Sequence, residues 1–230
     1  MRAIDKLLRS YLRKRGYAVS KLPVKSSDDG YSLIGYANHD EYVAIQTEGN
    51  KQKIDKVFAD ETTIDLICDY LLPKQPKRGL CHGSRNAAEV RWFREKLGID
   101  VIGTDISDTA EQFGLVQWDF HEVNPEWSGR FDWVYTNAHD HAYDPKKALD
   151  AWVDQLAPGG ILFLEHTIAH GPQGQTKLDP FAIELPLVPF VVLNLSAGCY
   201  AVTDIIRPLH HKAGGRFFVY VVTKTGSPLS

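Results

Sequence analysis

Residues 79–106, GLCHGSRNAAEVRWFREKLGIDVIGTDI, constrain the chain more than any other stretch. A short apolar run leads into the turn Cys81-His82-Gly83-Ser84-Arg85-Asn86, which opens a helical pattern closed by Gly98 as C-cap. A second apolar run, Val101-Ile102-Gly103-Thr104, ends in Asp105. Strand, tight turn, helix and strand form the opening of a parallel βαβ unit, because parallel neighbours need a crossover between them. An acid about 20 residues beyond the turn stands where such sheets hold a ribose hydroxyl pair. The turn has one glycine, Gly83, whereas a dinucleotide loop carries three so that pyrophosphate can approach the backbone.

The remaining chain continues the alternation. Leu115-Val116-Gln117-Trp118 reads as a third strand, ending in Asp119-Phe120. Phe131 to Thr136, FDWVYT, is apolar enough for the interior of a parallel sheet. Asp144-Pro145 starts a helix with Ala148, Leu149, Trp152, Val153 and Leu156 as its apolar stripe, stopped by Pro158-Gly159-Gly160. Residues 161–165 form a fifth strand, and a polar loop follows to Pro180. A proline-interrupted helical stretch runs toward Ala197. Two closing strands, 199–206 and 216–223, flank a turn with His210, His211, Gly214 and Gly215, and must be antiparallel to each other. The expected architecture is α/β: a Rossmann-like, doubly wound, seven-stranded and mainly parallel sheet with an antiparallel last strand, plus an N-terminal helical extension. Residues 1–73 read as that extension or lid, and residues 74–230 as the main domain.

Within the extension, Ile4, Leu7, Leu8, Tyr11 and Leu12 share one face of a short helix over residues 1–16, with basic residues on the other. That helix packs on the domain or on a partner subunit in a homo-oligomer, or else makes a peripheral contact with anionic lipid. A short strand is expected around residues 31–36. Asp40 reads as the cap of a helix reaching about Phe58. Gln46, Asn50 and Lys53 share one face of it, a solvated stripe or the lining of a pocket under a lid. Another helix runs from Asp60 to Leu72, stopped by Pro73.

Composition excludes several classes. The 230 residues are 43% apolar and 24% charged, with net charge -3, so neither global disorder nor nucleic-acid binding is expected. Three widely spaced cysteines without a CxxC argue against a disulfide framework and for a reducing compartment. With no long apolar span and no signal-peptide pattern, the expected location is cytoplasmic.

Taken together, these motifs resemble the class I S-adenosylmethionine-dependent methyltransferases over residues 79–223. Leu80 to Ala87 matches the glycine-rich first motif, but Arg85 and Ala87 stand where later glycines occur. Asp105 matches the ribose acid, Trp118-Asp119-Phe120 the segment that contacts adenine, and Phe131-Asp132 to Asn137 the fourth-strand motif. DHAYDPKKAL and LAPGG, beginning at Asp140 and Leu156, are similar to the family's (E/D)HxxDPxKAL and LxPGG segments. The resemblance implies S-adenosyl-L-methionine as cofactor, contacted by Gly83, Ser84, Arg85, Asn86, Asp105, Ile106, Asp119, Phe120 and Asn137. Arg85 and Asn86 are the expected partners of its methionine carboxylate. CHGSRNAAEV, NAHDHAYDP and IQTEGNKQKI look like a subgroup associated with surface-glycan biosynthesis, which implies a sugar or glycan hydroxyl as acceptor. A non-carbohydrate small molecule or lipid as acceptor, and a non-catalytic nucleotide-binding protein, are the alternatives.

A hydroxyl acceptor calls for a general base near the carboxyl ends of the strands. The candidates are His139, His141 and His166, with Asp140 as orienter or alternative base; alternatively His141 and Asp144 only cap the next helix. His139, Asp140, His141 and Asp144 are also metal-ligand types. Adjacent residues on a turn rarely converge on one ion, so no metal site is expected. The acceptor pocket is expected from residues 167–180, the lid helix and Trp127, and His210 and His211 at the surface or the pocket rim.

Overall fold

The computed structural model describes residues 11–12, 14–16 and 29–226, so most of the helix expected over residues 1–16, and the membrane or subunit contact assigned to it, lie outside the described residues. A seven-stranded sheet has the order β4-β3-β2-β5-β6-β9-β8. Its strands are β2 (Arg78–His82), β3 (Asp100–Asp105), β4 (Val116–Gln117), β5 (Phe131–Thr136), β6 (Leu156–Thr167), β8 (Tyr200–Ile206) and β9 (Phe217–Lys224). β4, β3, β2, β5 and β6 are mutually parallel, while β9 runs antiparallel to both β6 and β8. This is the expected doubly wound sheet with its antiparallel closing strand.

Alternate residues of the central strands enter different cores, as a period of two requires. Leu80, Val134, Leu162 and Leu164 face Leu149, Trp152, Val188 and Val191. The last four belong to helices α4 (Pro145–Asp154) and α5 (Val188–Leu195). Cys81, Trp133, Tyr135 and Phe163 face Ile64, Ile67, Val90 and Phe93, from α2 (Glu61–Leu71) and α3 (Ala88–Leu97). Burial on both faces explains why β5 reads as a continuous apolar run. At Gly79 a Cβ would lie 2.0 Å from the Trp133 ring, so only glycine lets the two strands keep their register.

Several boundaries differ from the sequence expectation. Helix α1 spans His39–Gln52 and does not reach Phe58. Its cap is Asn38, whose side-chain oxygen accepts the Glu41 N–H at 2.9 Å; Asp40 instead lies in the first turn, where an acid complements the helix dipole. β6 starts at Leu156, ahead of Pro158-Gly159-Gly160. Phe131 pairs with Leu156 and Trp133 with Ile161, so residues 157–160 bulge and the strand continues. Inside the stretch expected as loop and helix lies β7 (Phe181–Ile183), paired antiparallel with β1 (Tyr31–Leu33). β1 thus ends three residues before Tyr36, at Leu33, opposite the first residue of its partner strand, Phe181. No helix among the described residues is long and apolar enough to cross a membrane.

Candidate active site

The strand order changes direction at β2, which has β3 on one side and β5 on the other. Ligands bind beyond the carboxyl ends of strands at such a switch point. There a cavity of about 480 Å³ opens, lined by the loop after β2, the ends of β3, β5 and β6, and the inner face of α1. Gln46 and Asn50 of α1, and Lys53 just beyond its end, line it. α1 is seated on the far wall by the Gln46 amide, which donates to the Leu178 carbonyl at 2.8 Å.

One wall is built around the first loop. Gly83 has φ +72°, and a Cβ there would lie 2.6 Å from Ala138 Cβ, so glycine is needed on both counts. Arg85 and Ala87 are left-handed without being glycine, at φ 38° and 59°. The conformation is held by Asp105. Its Oδ2 accepts the Arg85 N–H, while Oδ1 accepts the Ser107 N–H and the Asn50 amide, all at 2.9 Å. Burial raises the Asp105 pKa, and these hydrogen bonds oppose the rise. Ser84 is buried, donating N–H to the Thr104 carbonyl at 2.9 Å. The Arg85 guanidinium stacks over Phe58 at 4.9 Å and donates to the Lys56 carbonyl, while its buried Nε has no protein partner. Asn86 spends its amide N–H on the carbonyls of Ile54 and Lys56. Ile106 and the largely buried Phe120 complete this side.

His82 lies under the loop. Its ring joins Thr104 Oγ1 and Gln155 Oε1 at 2.8 Å each, and burial lowers its pKa to about 4. Asp119 is absent from the cavity wall. Its Oδ1 accepts from His121 and its Oδ2 lies 2.8 Å from His39 Nε2. Burial works to raise the Asp119 pKa, but His121 and His39 outweigh it and hold the carboxyl at about 2. Trp127 also faces elsewhere, packed on Trp118 and Phe131.

The opposite wall carries the titratable groups. After β5 the chain makes a short 3-10 turn, His139–His141. Asn137, Asp140 and His141 face the cavity, whereas His139 turns back toward the core and puts its Nε2 2.8 Å from His166 Nδ1. His166 is fully buried behind the wall. Asp140 is buried, its Oδ1 has no partner, and burial pushes its pKa up to about 6. His141 Nδ1 lies 2.8 Å from Gln46 Oε1, and its Nε2 lies 3.6 Å from Asp179 and 3.9 Å from Asp140. Asp144 alone caps α4, accepting the Lys147 N–H at 3.0 Å. Glu165 accepts the Tyr135 hydroxyl at 2.7 Å and faces His211 Nε2 at 3.6 Å.

Sequence reasoning missed Glu89, which burial raises to about 7, and Asp179, both on the wall. Glu89 stands in the first turn of α3, one turn beyond the loop, which was a readable signal. Nothing local marked Asp179. His211 is more enclosed than a rim residue, with its side chain 2% exposed and its ring stacked on Phe217 at 3.4 Å.

No protein-family model matches the chain, and none of the curated proteins does. Among solved structures, the 1,6-didemethyltoxoflavin-N1-methyltransferase of Burkholderia thailandensis aligns at 19% identity, over 88% of this chain and 94% of that one, with a TM-score of 0.63. An S-adenosylmethionine-dependent methyltransferase from Clostridium acetobutylicum aligns at 11% identity over 82% and 99%, with a TM-score of 0.55. The [4+2]-cyclase SpnF aligns at 14% identity over 76% and 77%, with a TM-score of 0.56. At such identities the likeness is one of architecture: the chain has the Rossmann-like methyltransferase fold.

Proposed function

We propose that the chain is an S-adenosylmethionine-dependent methyltransferase acting on a hydroxyl oxygen of a small polar acceptor. A sugar unit is the class favoured by the sequence resemblance. The observation that carries the reading is that one cavity joins a donor-binding wall, Gly83 to Asn86 with Asp105 and Phe120, to a wall bearing Asp140 and His141.

The residues fit the cofactor. A carboxylate offers about four acceptor positions, and Asp105 uses three on the protein, which leaves one for a ribose hydroxyl. The unpartnered Arg85 Nε suits the methionine carboxylate, as a charge-assisted contact. The Phe120 ring offers an apolar surface to the adenine. When bound, S-adenosylmethionine supplies a methyl group on a sulfonium, open to in-line displacement.

The chain's own part is to align the acceptor, hold a base and exclude water. Asp140 takes the proton of the acceptor hydroxyl on a carboxylate oxygen. Its pKa of about 6 makes it a stronger base than an exposed carboxyl and keeps it ionised at neutral pH. His141, held by Gln46, and Asp179 orient the hydroxyl beside it. His139 and His166 lie behind this wall. A hydroxyl is a poor nucleophile until its proton is drawn away, which is the role this carboxylate fits.

Calorimetry with S-adenosylhomocysteine and with NAD tests the donor assignment. Binding of S-adenosylhomocysteine is expected; binding of NAD alone would overturn the reading.

A further inference from the structure

At the acceptor wall and behind it, three histidines converge: His139 after β5, His166 near the end of β6, and His170, which lines the cavity, in the turn that follows. A ring nitrogen from each lies within 4.8 Å of those of the other two. Their ring centroids form a nearly equilateral triangle with sides of 5.0, 5.0 and 5.2 Å. We infer that His139, His166 and His170 form a three-histidine site for a divalent first-row transition ion.

The geometry suits such an ion. A metal about 2.1 Å from each nitrogen sits roughly 3.2 Å from each ring centroid, and tetrahedral angles then place the centroids about 5.2 Å apart. The His139 Nε2 to His166 Nδ1 distance, 2.8 Å without an ion, widens by about 0.6 Å to reach tetrahedral spacing. Polar satisfaction points the same way. One hydrogen bond joins the His139 and His166 rings, while Nδ1 of His170, the ring nitrogen turned away from Asp140, is buried without a partner. A buried ring nitrogen left unmet is costly, and an ion would meet it. Imidazole donors select zinc, cobalt, nickel or iron(II) over magnesium or calcium.

Charge completes the case. A divalent ion among neutral imidazoles needs nearby anions, and Asp140 Oδ2 lies 3.7 Å from His170 Nε2. That carboxylate stands as the outer partner of the His170 ring, the arrangement that orients a ligating imidazole. The neighbouring group Asp140, His141 and Asp179 is the weaker candidate. It offers one imidazole, and the Asp179 side chain is 28% exposed.

The test strips the full chain with a chelator and titrates it with Co²⁺ alone, read by calorimetry and visible absorption. One equivalent is expected, with the intense visible bands of a low-coordinate nitrogen site. His170→Ala should weaken binding by more than the roughly 100-fold that loss of an outer partner costs, with unchanged far-ultraviolet dichroism. His170→Gln serves the same comparison should the alanine variant not fold. His210→Ala, at an exposed histidine outside the cluster, should bind like the parent. Absence of binding at about 100 μM Co²⁺, near the weak limit of metal-site affinities, or equal binding by the His170 variant, would overturn the site. S-adenosylhomocysteine titrations on the same samples report on the methyl-donor reading separately.

Discussion

Replacing Asp105 by alanine tests the donor wall at its anchor. The carboxylate accepts the Arg85 and Ser107 N–H groups and the Asn50 amide. Its loss strips the buried loop of acceptors for two backbone donors, and each unmet donor costs about 1–3 kcal/mol. A destabilisation of about 2–6 kcal/mol follows, which at this chain length lowers Tm by roughly 4–24 °C. The ribose loses its charged acceptor as well, worth about 1.5–3 kcal/mol, or roughly 10- to 150-fold in Kd. Asp105→Asn separates the two effects: its amide oxygen still accepts, but its NH₂ faces one of the backbone donors. It should retain more stability than the alanine variant and still bind S-adenosylhomocysteine at least about 10-fold more weakly. Thermal unfolding and calorimetry read both numbers. Unchanged Tm together with an affinity within about twofold of the parent, a shift of less than 0.5 kcal/mol, would refute the assignment.

Other perturbations separate the cavity residues from those held elsewhere. Asp119→Asn should leave S-adenosylhomocysteine affinity within about threefold, under 1 kcal/mol, because His39 and His121 hold that carboxylate away from the cavity; a large loss would contradict its placement. Gly83→Ala combines a positive φ with a 2.6 Å contact to Ala138, and should cost about 1–3 kcal/mol in urea unfolding; a neutral result would contradict the loop geometry. His82 is held neutral, with a folded pKa of about 4 against 6.5 when unfolded. The unfolded chain therefore binds the extra proton, and stability is full above pH 6.5 and falls between 6.5 and 4, by on the order of 3 kcal/mol. Urea midpoints that stay flat across that window would contradict it.

Much of the site was legible because it follows the strand period. Asp105 and Asn137 lie at or just beyond strand ends, where a doubly wound sheet gathers its ligand groups. The α1 stripe was legible from helical spacing. What escaped was set by contacts distant in sequence. Asp119 has the right position, but His121 two residues on and His39 eighty residues earlier capture its carboxylate. His139 adjoins Asp140, yet the 3-10 turn sends the two side chains to opposite sides of the wall. β1 and β7 are three residues each, too short for a periodicity signal, and pair Tyr31 with Ile183 across most of the chain. The extension over β6 depends on a bulge that local pattern reads as a stop.

The proposed reaction is methyl transfer to oxygen with Asp140 as base. The most direct measurement incubates the protein with methyl-labelled S-adenosylmethionine and a panel of sugar, phenolic, lipid and amine acceptors, and compares the parent with Asp140→Asn. Label is expected on the oxygen of a hydroxyl acceptor, with turnover falling about 10²- to 10⁴-fold in the variant while S-adenosylhomocysteine still binds. Transfer to amines only, or undiminished turnover in Asp140→Asn, would contradict it.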